Sequence, residues 1–270
     1  MKELSKFIYI FQGLDIAHGI TKKSSEVNEK GKNETRSFTI HKPPIEKLWQ
    51  DHLEGKDPGL GIIPINRDNK LKWGCIDVDI YPVDHKEFVK KLQEKNIKAI
   101  VFRSKSGGAH IFVFTKTFVP AIVMRAKLKI IASEIGYARA EIYPKQDTIN
   151  VARGDTGSFL NLPYHNCKDS VRYAFNSKGM KMSLEEFFDY HNEMAMTEEE
   201  LTNFAIVNEK ENLDYFKGMP PCLVTLLSDG VPNGQRNNCM YNVGVYLKKR
   251  YPENNEWKGR MHIYLSLIHI

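Results

Sequence analysis

Paired cysteines, a long hydrophobic run and a phosphate-binding P-loop are all missing from this 270-residue chain. The four cysteines, Cys75, Cys167, Cys222 and Cys239, stand far apart and form no CxxC pair. That spacing supports neither a disulfide framework nor a zinc ribbon, and makes a reducing, cytoplasmic compartment the default. The apolar run Phe7-Ile8-Tyr9-Ile10-Phe11 is far too short to span a membrane and has no small-residue cleavage site after it. It reads as a buried strand. No GxxxxGK[ST] loop occurs, so the chain carries no ATPase motor of that kind.

What is present begins with core material. Hydrophobic residues make up 41% of the chain and aromatics 11%, enough for one large domain or two smaller ones. Lys and Arg outnumber Asp and Glu by 39 to 33, a net charge of +6. That excess is compatible with an anionic partner such as nucleic acid, and equally with an ordinary basic surface.

Against this background, Asp77 and Asp79 stand out inside the apolar stretch Lys72-Trp73-Gly74-Cys75-Ile76-Asp77-Val78-Asp79-Ile80. Side chains alternate along a strand, and residues two apart lie roughly 6.5 Å from each other on one face. Both carboxylates then project together, while Ile76, Val78 and Ile80 point into the opposite layer. Paired carboxylates suit Mg²⁺ or Mn²⁺, which prefer hard oxygen ligands.

The surrounding segments give the pair a context. Thr21 to Arg36 is rich in Lys, Ser, Asn and Glu and reads as a flexible loop. Pro44 to Leu53 has helical spacing, and Gly59 to Ile65 reads as a strand that turns at Asn66 to Asn69 into the aspartate strand. Asp84 to Lys95 then reads as a helix and Ile97 to Phe102 as a second buried strand, a βαβ-like unit. Next comes Arg103-Ser104-Lys105-Ser106-Gly107-Gly108-Ala109-His110, leading into the strand Ile111 to Phe114. Glycines there expose backbone N–H groups, Ser, Lys and Arg grip phosphate oxygens, and His110 stands near a phosphate or a metal. A hairpin with a Ser-Gly-Gly turn is the plainer reading of the same residues. After a helical stretch from Pro120 to Gly136, Glu141 in a short strand would complete a carboxylate trio with Asp77 and Asp79. Lys145 would offset phosphate charge. The plainer readings are an exposed edge-strand charge and a solvated turn residue.

Four short segments now stand in a fixed order: Asp77-Val78-Asp79, Ser106-Gly107-Gly108-Ala109-His110, Glu141-Ile142-Tyr143-Pro144-Lys145-Gln146 and Gly157-Ser158-Phe159-Leu160-Asn161-Leu162-Pro163. The set resembles the archaeo-eukaryotic primase superfamily, in its branch of phage and mobile-element primase-polymerases. The resemblance implies an α+β fold: an RRM-like catalytic sheet with an N-terminal α/β subdomain, followed by a small helical module. It implies that Asp77, Asp79 and Glu141 are the catalytic acids that hold Mg²⁺ or Mn²⁺. Many members carry an aspartate as the third acid, so Asp147 and Asp155 stand as alternatives to Glu141. Arg103, Lys105, Ser106, Gly107, Gly108, His110 and Lys145 would bind the nucleotide.

The implied activity is that of a DNA primase-polymerase in replication, joining nucleoside triphosphates to a primer or an initiating nucleotide by template-directed, two-metal transfer. Its partners would be single-stranded DNA template and primer, nucleoside triphosphates, and a replicative helicase, fused or separate. No membrane partner is implied; for a phage-encoded protein the compartment is the host cytoplasm.

Residues 1–170 are expected as the catalytic domain and 171–213 as a helical linker, with helices at Ser183 to Ala195 and Thr197 to Ala205. Residues 214–260 resemble the small helical domain that follows such cores, through Gly234-Gln235-Arg236-Asn237-Asn238, Tyr241, Val245 and Tyr246. Residues 261–270 end abruptly in apolar residues and read as a foreign tail on a truncated frame.

Other classes share parts of the pattern. A metal-dependent nuclease also uses carboxylate trios, although the Ser-Gly-Gly-x-His turn with its bases suits a triphosphate better than a diester. A glycosyltransferase uses an Asp-x-Asp pair, usually in a loop after a strand. A non-catalytic RRM-like module would present stacking aromatics where this sheet would carry acids.

Overall fold

Phe7, Ile10 and Phe11 recur at intervals of three and four, and all three are buried while Tyr9 is exposed. That spacing makes the N-terminal apolar run a helix, α1 (Glu3–Phe11), where a buried strand was expected. A continuous apolar run fits a helix as well as a strand, and here packing on one side decides. The computed structural model describes residues 2–27, 33–203, 218–228, 236–252, 257 and 261.

The segment expected as a flexible loop is instead a hairpin of β1 (His18–Val27) and β2 (Asn33–Ile40). The two pair antiparallel from His18 opposite Ile40 to Val27 opposite Asn33. Next come α2 (Glu46–Leu53) and β3 (Leu60–Ile62), which pairs with β1.

The aspartate strand is β4 (Lys70–Val78), followed by α3 (His85–Glu94). Asp84 caps α3 by accepting from the backbone N–H groups of Lys86 and Glu87 at 2.9 and 3.2 Å. Then follow β5 (Ile100–Arg103), β6 (Ala109–Pro120), α4 (Ala121–Glu134), β7 (Glu141–Tyr143) and β8 (Leu160–Asn161). One antiparallel sheet has the order β2-β1-β3-β8 and the other β5-β6-β4-β7. In the second sheet β4 and β5 both run antiparallel to β6, which lies between them. This is the split βαβ arrangement of an RRM-like sheet.

The second sheet buries both faces. On one face Ile76, Val78, Ile111 and Val113 pack with Phe88 and Leu92 of α3 and Met124 and Leu128 of α4. Helix α4 approaches closely because Gly74 has no side chain: a Cβ there would lie 2.6 Å from Leu128 Cδ1 and 2.8 Å from Met124 Cγ. On the other face Trp73, Phe112 and Phe114 meet Phe11 of α1, with ring centroids 5.7 to 5.9 Å from it. Burying a phenylalanine in this way contributes about 1.5–3 kcal/mol, so α1 is held by its aromatic face.

Two further helices close the first unit, α5 (Leu184–Met194) and α6 (Glu198–Asn203). Each opens with a reciprocal capping box, Ser183 with Glu186 and Thr197 with Glu200. Phe187 of α5 lies 5.9 Å from the Phe11 ring. The Arg103 N–H donates to Tyr173 O at 2.9 Å, and the Phe175 N–H to Val101 O at 2.9 Å. Residues 171–203, expected within a linker, are therefore packed into the first unit.

The chain divides into Met1–Val207 and Asn208–Ile270. In the second unit α7 (Pro221–Ser228) and α8 (Arg236–Arg250) share a small core of Met219, Leu223, Cys239, Val243 and Leu247. The acidic stretch 207–212, the turn 230–234 and, apart from Met261, the tail 261–270 lie outside the described residues. Among the described residues no helix is long and apolar enough to cross a membrane.

Candidate active site

Register brings the expected residues together. Phe102 pairs with His110, His110 with Asp77, and Asp77 with Glu141, so one cross-strand row runs over four strands. The row below it on the same face is Ile100, Phe112, Cys75 and Tyr143. Burial pushes the Cys75 thiol far up, and the charge of Asp77 adds to the shift. The acids thus stand on a dry, neutral floor.

Asp77 and His110 are the two half-hidden members of the row, with side chains 17% and 14% exposed. His110 Nε2 lies 3.2 Å from Asp77 Oδ1. The alignment is not that of a hydrogen bond, and Oδ1 is buried with no hydrogen-bond partner among the described residues. An oxygen left in this state is costly without a ligand.

Asp79 sits one residue beyond the end of β4, so the two acids do not share a strand as expected. Ile80, expected in the opposite layer, is 61% exposed. The chain leaves the sheet after Val78, and α3 begins at His85.

The turn between β5 and β6 lies beside Asp79. It is closed by Ser104 N–H to Gly108 O at 2.8 Å and Gly107 N–H to Ser104 O at 3.1 Å, with Gly107 in the left-handed region at φ 96°. A Cβ on Gly108 would lie 2.6 Å from Val78 O and 3.1 Å from Asp79 Oδ1. Glycine is what lets this turn press against the acids. Arg103 backs the turn, its Nη1 donating to Val171 O at 3.0 Å. Lys105 and Ser106 are exposed.

Two residues that sequence reasoning missed brace the turn. The Tyr81 hydroxyl lies 3.0 Å from Asp79 Oδ1 and 2.6 Å from Ser106 Oγ. Burial, and less strongly Asp79, raise its pKa, so the phenol stays protonated and donates to the carboxylate. His85 Nε2 lies 3.0 Å from Gly108 O, with its ring stacked 4.8 Å from Phe175. Only proximity to Asp79 and to the start of α3 would have signalled either.

At the other end of the row Glu141 is an exposed edge charge. Lys145 Nζ lies 2.9 Å from its Oε2, and the Tyr143 hydroxyl donates to the same oxygen at 3.2 Å. Burial first, then Glu141 and Asp77, raise the Tyr143 pKa. The alternative acids are engaged elsewhere: Asp147 Oδ1 pairs with Arg125 at 2.5 Å, and Asp155 accepts from Asn150 N–H at 3.2 Å. Among the described residues no three His, Cys, Asp or Glu side chains converge into a metal shell.

The family model for the archaeo-eukaryotic primase domain of the TOTE conflict system matches residues 16–202. The chain belongs to this family. The matched primase domain ends inside α6, so it takes in 171–202 as well as both sheets. No curated protein matches the chain in sequence.

Solved primase structures are similar at low identity. The primase domain of the cyanophage S-2L primase-polymerase has 11% identity and a TM-score of 0.38, covering 70% of this chain and 96% of that one. The catalytic domain of primase RepB′ in complex with initiator DNA has 14% identity and a TM-score of 0.32, covering 71% and 94%. Primase RepB′ has 12% identity and a TM-score of 0.35, covering 98% and 93%.

The family is one of nucleotidyltransferase-like primases and polymerases, which typically use divalent metals. The residues here fit such an ion at Asp77 and Asp79: hard oxygen donors, one of them buried and without a partner. Glu141 is in register with Asp77 but occupied by Lys145.

Proposed function

We propose that the primase domain joins nucleoside triphosphates to a primer or an initiating nucleotide on a single-stranded DNA template, within a conflict system. The observation that carries this reading is the orphaned Asp77 Oδ1 beside His110, flanked by the Ser104–Gly108 turn. In the reaction the primer 3′-oxygen bonds to the α-phosphorus of the triphosphate, and the bond to the departing pyrophosphate breaks. Asp77 and Asp79 would hold Mg²⁺ or Mn²⁺, which would supply Lewis-acid stabilisation of the phosphate charge and lower the pKa of the attacking hydroxyl.

The chain's own groups bind and orient. His110 directs an Nε2 proton to a non-bridging phosphate oxygen, giving a charge-assisted bond when protonated. The backbone N–H groups of Ser106 and Gly108, in the turn that Gly107 allows, cradle the β- and γ-phosphates, with Arg103 and Lys105 adding positive charge. Lys145 exchanges Glu141 for phosphate, which frees Glu141 to join the two aspartates as third acid. The second unit, from residue 208, acts as a helical accessory to priming.

The test combines Mn²⁺ or Mg²⁺, single-stranded template, labelled nucleotides and the full chain, with and without a primer. Template-dependent products that vanish in Asp79→Ala are expected. Products that survive that substitution overturn the assignment, and degradation of the template makes the protein a nuclease.

A further inference from the structure

The Tyr81 hydroxyl reaches both halves of the proposed site. Asp79 belongs to the acid end, and Ser106 to the phosphate-binding turn. These lie on separate segments, 27 residues apart in the chain, and the phenol bridges them at 3.0 and 2.6 Å.

Hydrogen-bond chemistry fixes the direction of the chain of bonds. An ionised carboxylate only accepts, so the single phenolic proton goes to Asp79. Tyr81 Oη is then the acceptor for Ser106, and Ser106 Oγ accepts in turn from Ser104 Oγ at 3.2 Å. Every hydroxyl proton points toward Asp79. The bond commits Asp79 Oδ1 to the phenol and leaves its second oxygen for a ligand. It also fixes the exposed Ser106 in the turn.

The remaining contacts tie the same unit together. Gly108 presses its backbone against Val78 O and Asp79 Oδ1, and His85 holds Gly108 O from the start of α3. The Tyr81 hydroxyl hydrogen-bonds to both Asp79 and Ser106. Its ring is half exposed, so it contributes little to the core.

We infer that Tyr81 is a positioning residue that couples the acid end of the site to the phosphate turn, presetting Asp79 for the cation and Ser106 for the triphosphate. The inference rests on the nucleotidyl-transfer reading. Loss of one hydrogen bond on each side corresponds to roughly a 3- to 10-fold weakening of each ligand.

The experiment compares Tyr81→Phe with the wild-type full chain in two measurements. Mn²⁺ binding without nucleotide is read from the free-ion EPR signal, and primer extension at saturating Mn²⁺ gives KM and kcat for the nucleotide. The expected result is a Kd for Mn²⁺ and a KM for nucleotide both raised about 3- to 10-fold, with kcat within about twofold and an unchanged melting temperature. A change in only one of the two, or in neither, overturns the coupling. A wild-type chain that binds neither Mn²⁺ nor nucleotide overturns the proposed function itself, and the inference falls with it.

Discussion

His110 with Asp77 and Lys145 with Glu141 are two acid-base pairs in one neighbourhood, one strand apart in register, and their surroundings differ. The inner pair is 14% and 17% exposed and leaves a carboxylate oxygen without a hydrogen bond. The outer pair is 41% and 59% exposed, and its carboxylate oxygen is satisfied by both Lys145 and Tyr143. Solvent-exposed ion pairs contribute about 0–1 kcal/mol, whereas a buried polar atom without a partner costs about 1–3 kcal/mol. The pair with the unsatisfied oxygen, not the well-formed one, is where the proposed function puts a ligand. On that proposal a group from outside the chain would complete the inner arrangement.

Four substitutions would break or sharpen that contrast. The largest effect is expected for Asp77→Asn, which should lower primer extension at least about 100-fold, by analogy with removing a group that stabilises developing charge; near-normal kinetics would dissolve the distinction. His110→Ala should cost about 10- to 100-fold, the worth of one charge-assisted hydrogen bond to phosphate, mainly in KM. Glu141→Gln is expected to cost about tenfold, less than Asp77→Asn because its carboxylate starts out occupied. A loss as large as that of Asp77→Asn would make the outer acid an equal partner.

The smallest effects are on stability, and there the sign reverses for the inner acid. Asp77→Asn should stabilise the fold by about 1 kcal/mol, because an amide in a buried position is cheaper than an unpartnered carboxylate. Lys145→Ala should shift unfolding by less than about 1 kcal/mol. Denaturant melts of the two variants beside wild type measure both, and a destabilised Asp77→Asn would show that the inner pair supports the fold.

The site row was legible where strand alternation and glycine spacing act locally. Asp77, the Ser-Gly-Gly turn, His110 and Glu141 all sit in short segments whose pattern survives without tertiary information. The α3 cap at Asp84 and the capping boxes at Ser183 and Thr197 follow from the same local chemistry.

The errors arose where packing partners decide. Phe7 to Phe11 is uniformly apolar, so its helix appears only once Phe11 is seen against Trp73 and Phe112. The β1-β2 hairpin is polar in composition and lacks an apolar alternation, which conceals a strand pair held mainly by its backbone ladder. Ile80 followed the alternation of β4 beyond the strand's end. Tyr81 and His85 act through the turn 25 and 23 residues further along, a relation that spacing does not encode.

The Phe159 ring lies flat against two glycines on neighbouring strands. A Cβ on Gly19 would fall 2.0 Å from the ring and one on Gly61 2.4 Å from it, and the two glycines are register partners. Ser158, next to the ring, exchanges hydrogen bonds with Gln146, the neighbour of Lys145. These three positions therefore form a volume that descent must conserve as a sum. A lineage that acquires a side chain at either glycine has to shrink the residue at position 159 in the same step, or lose the seat of the loop carrying Lys145.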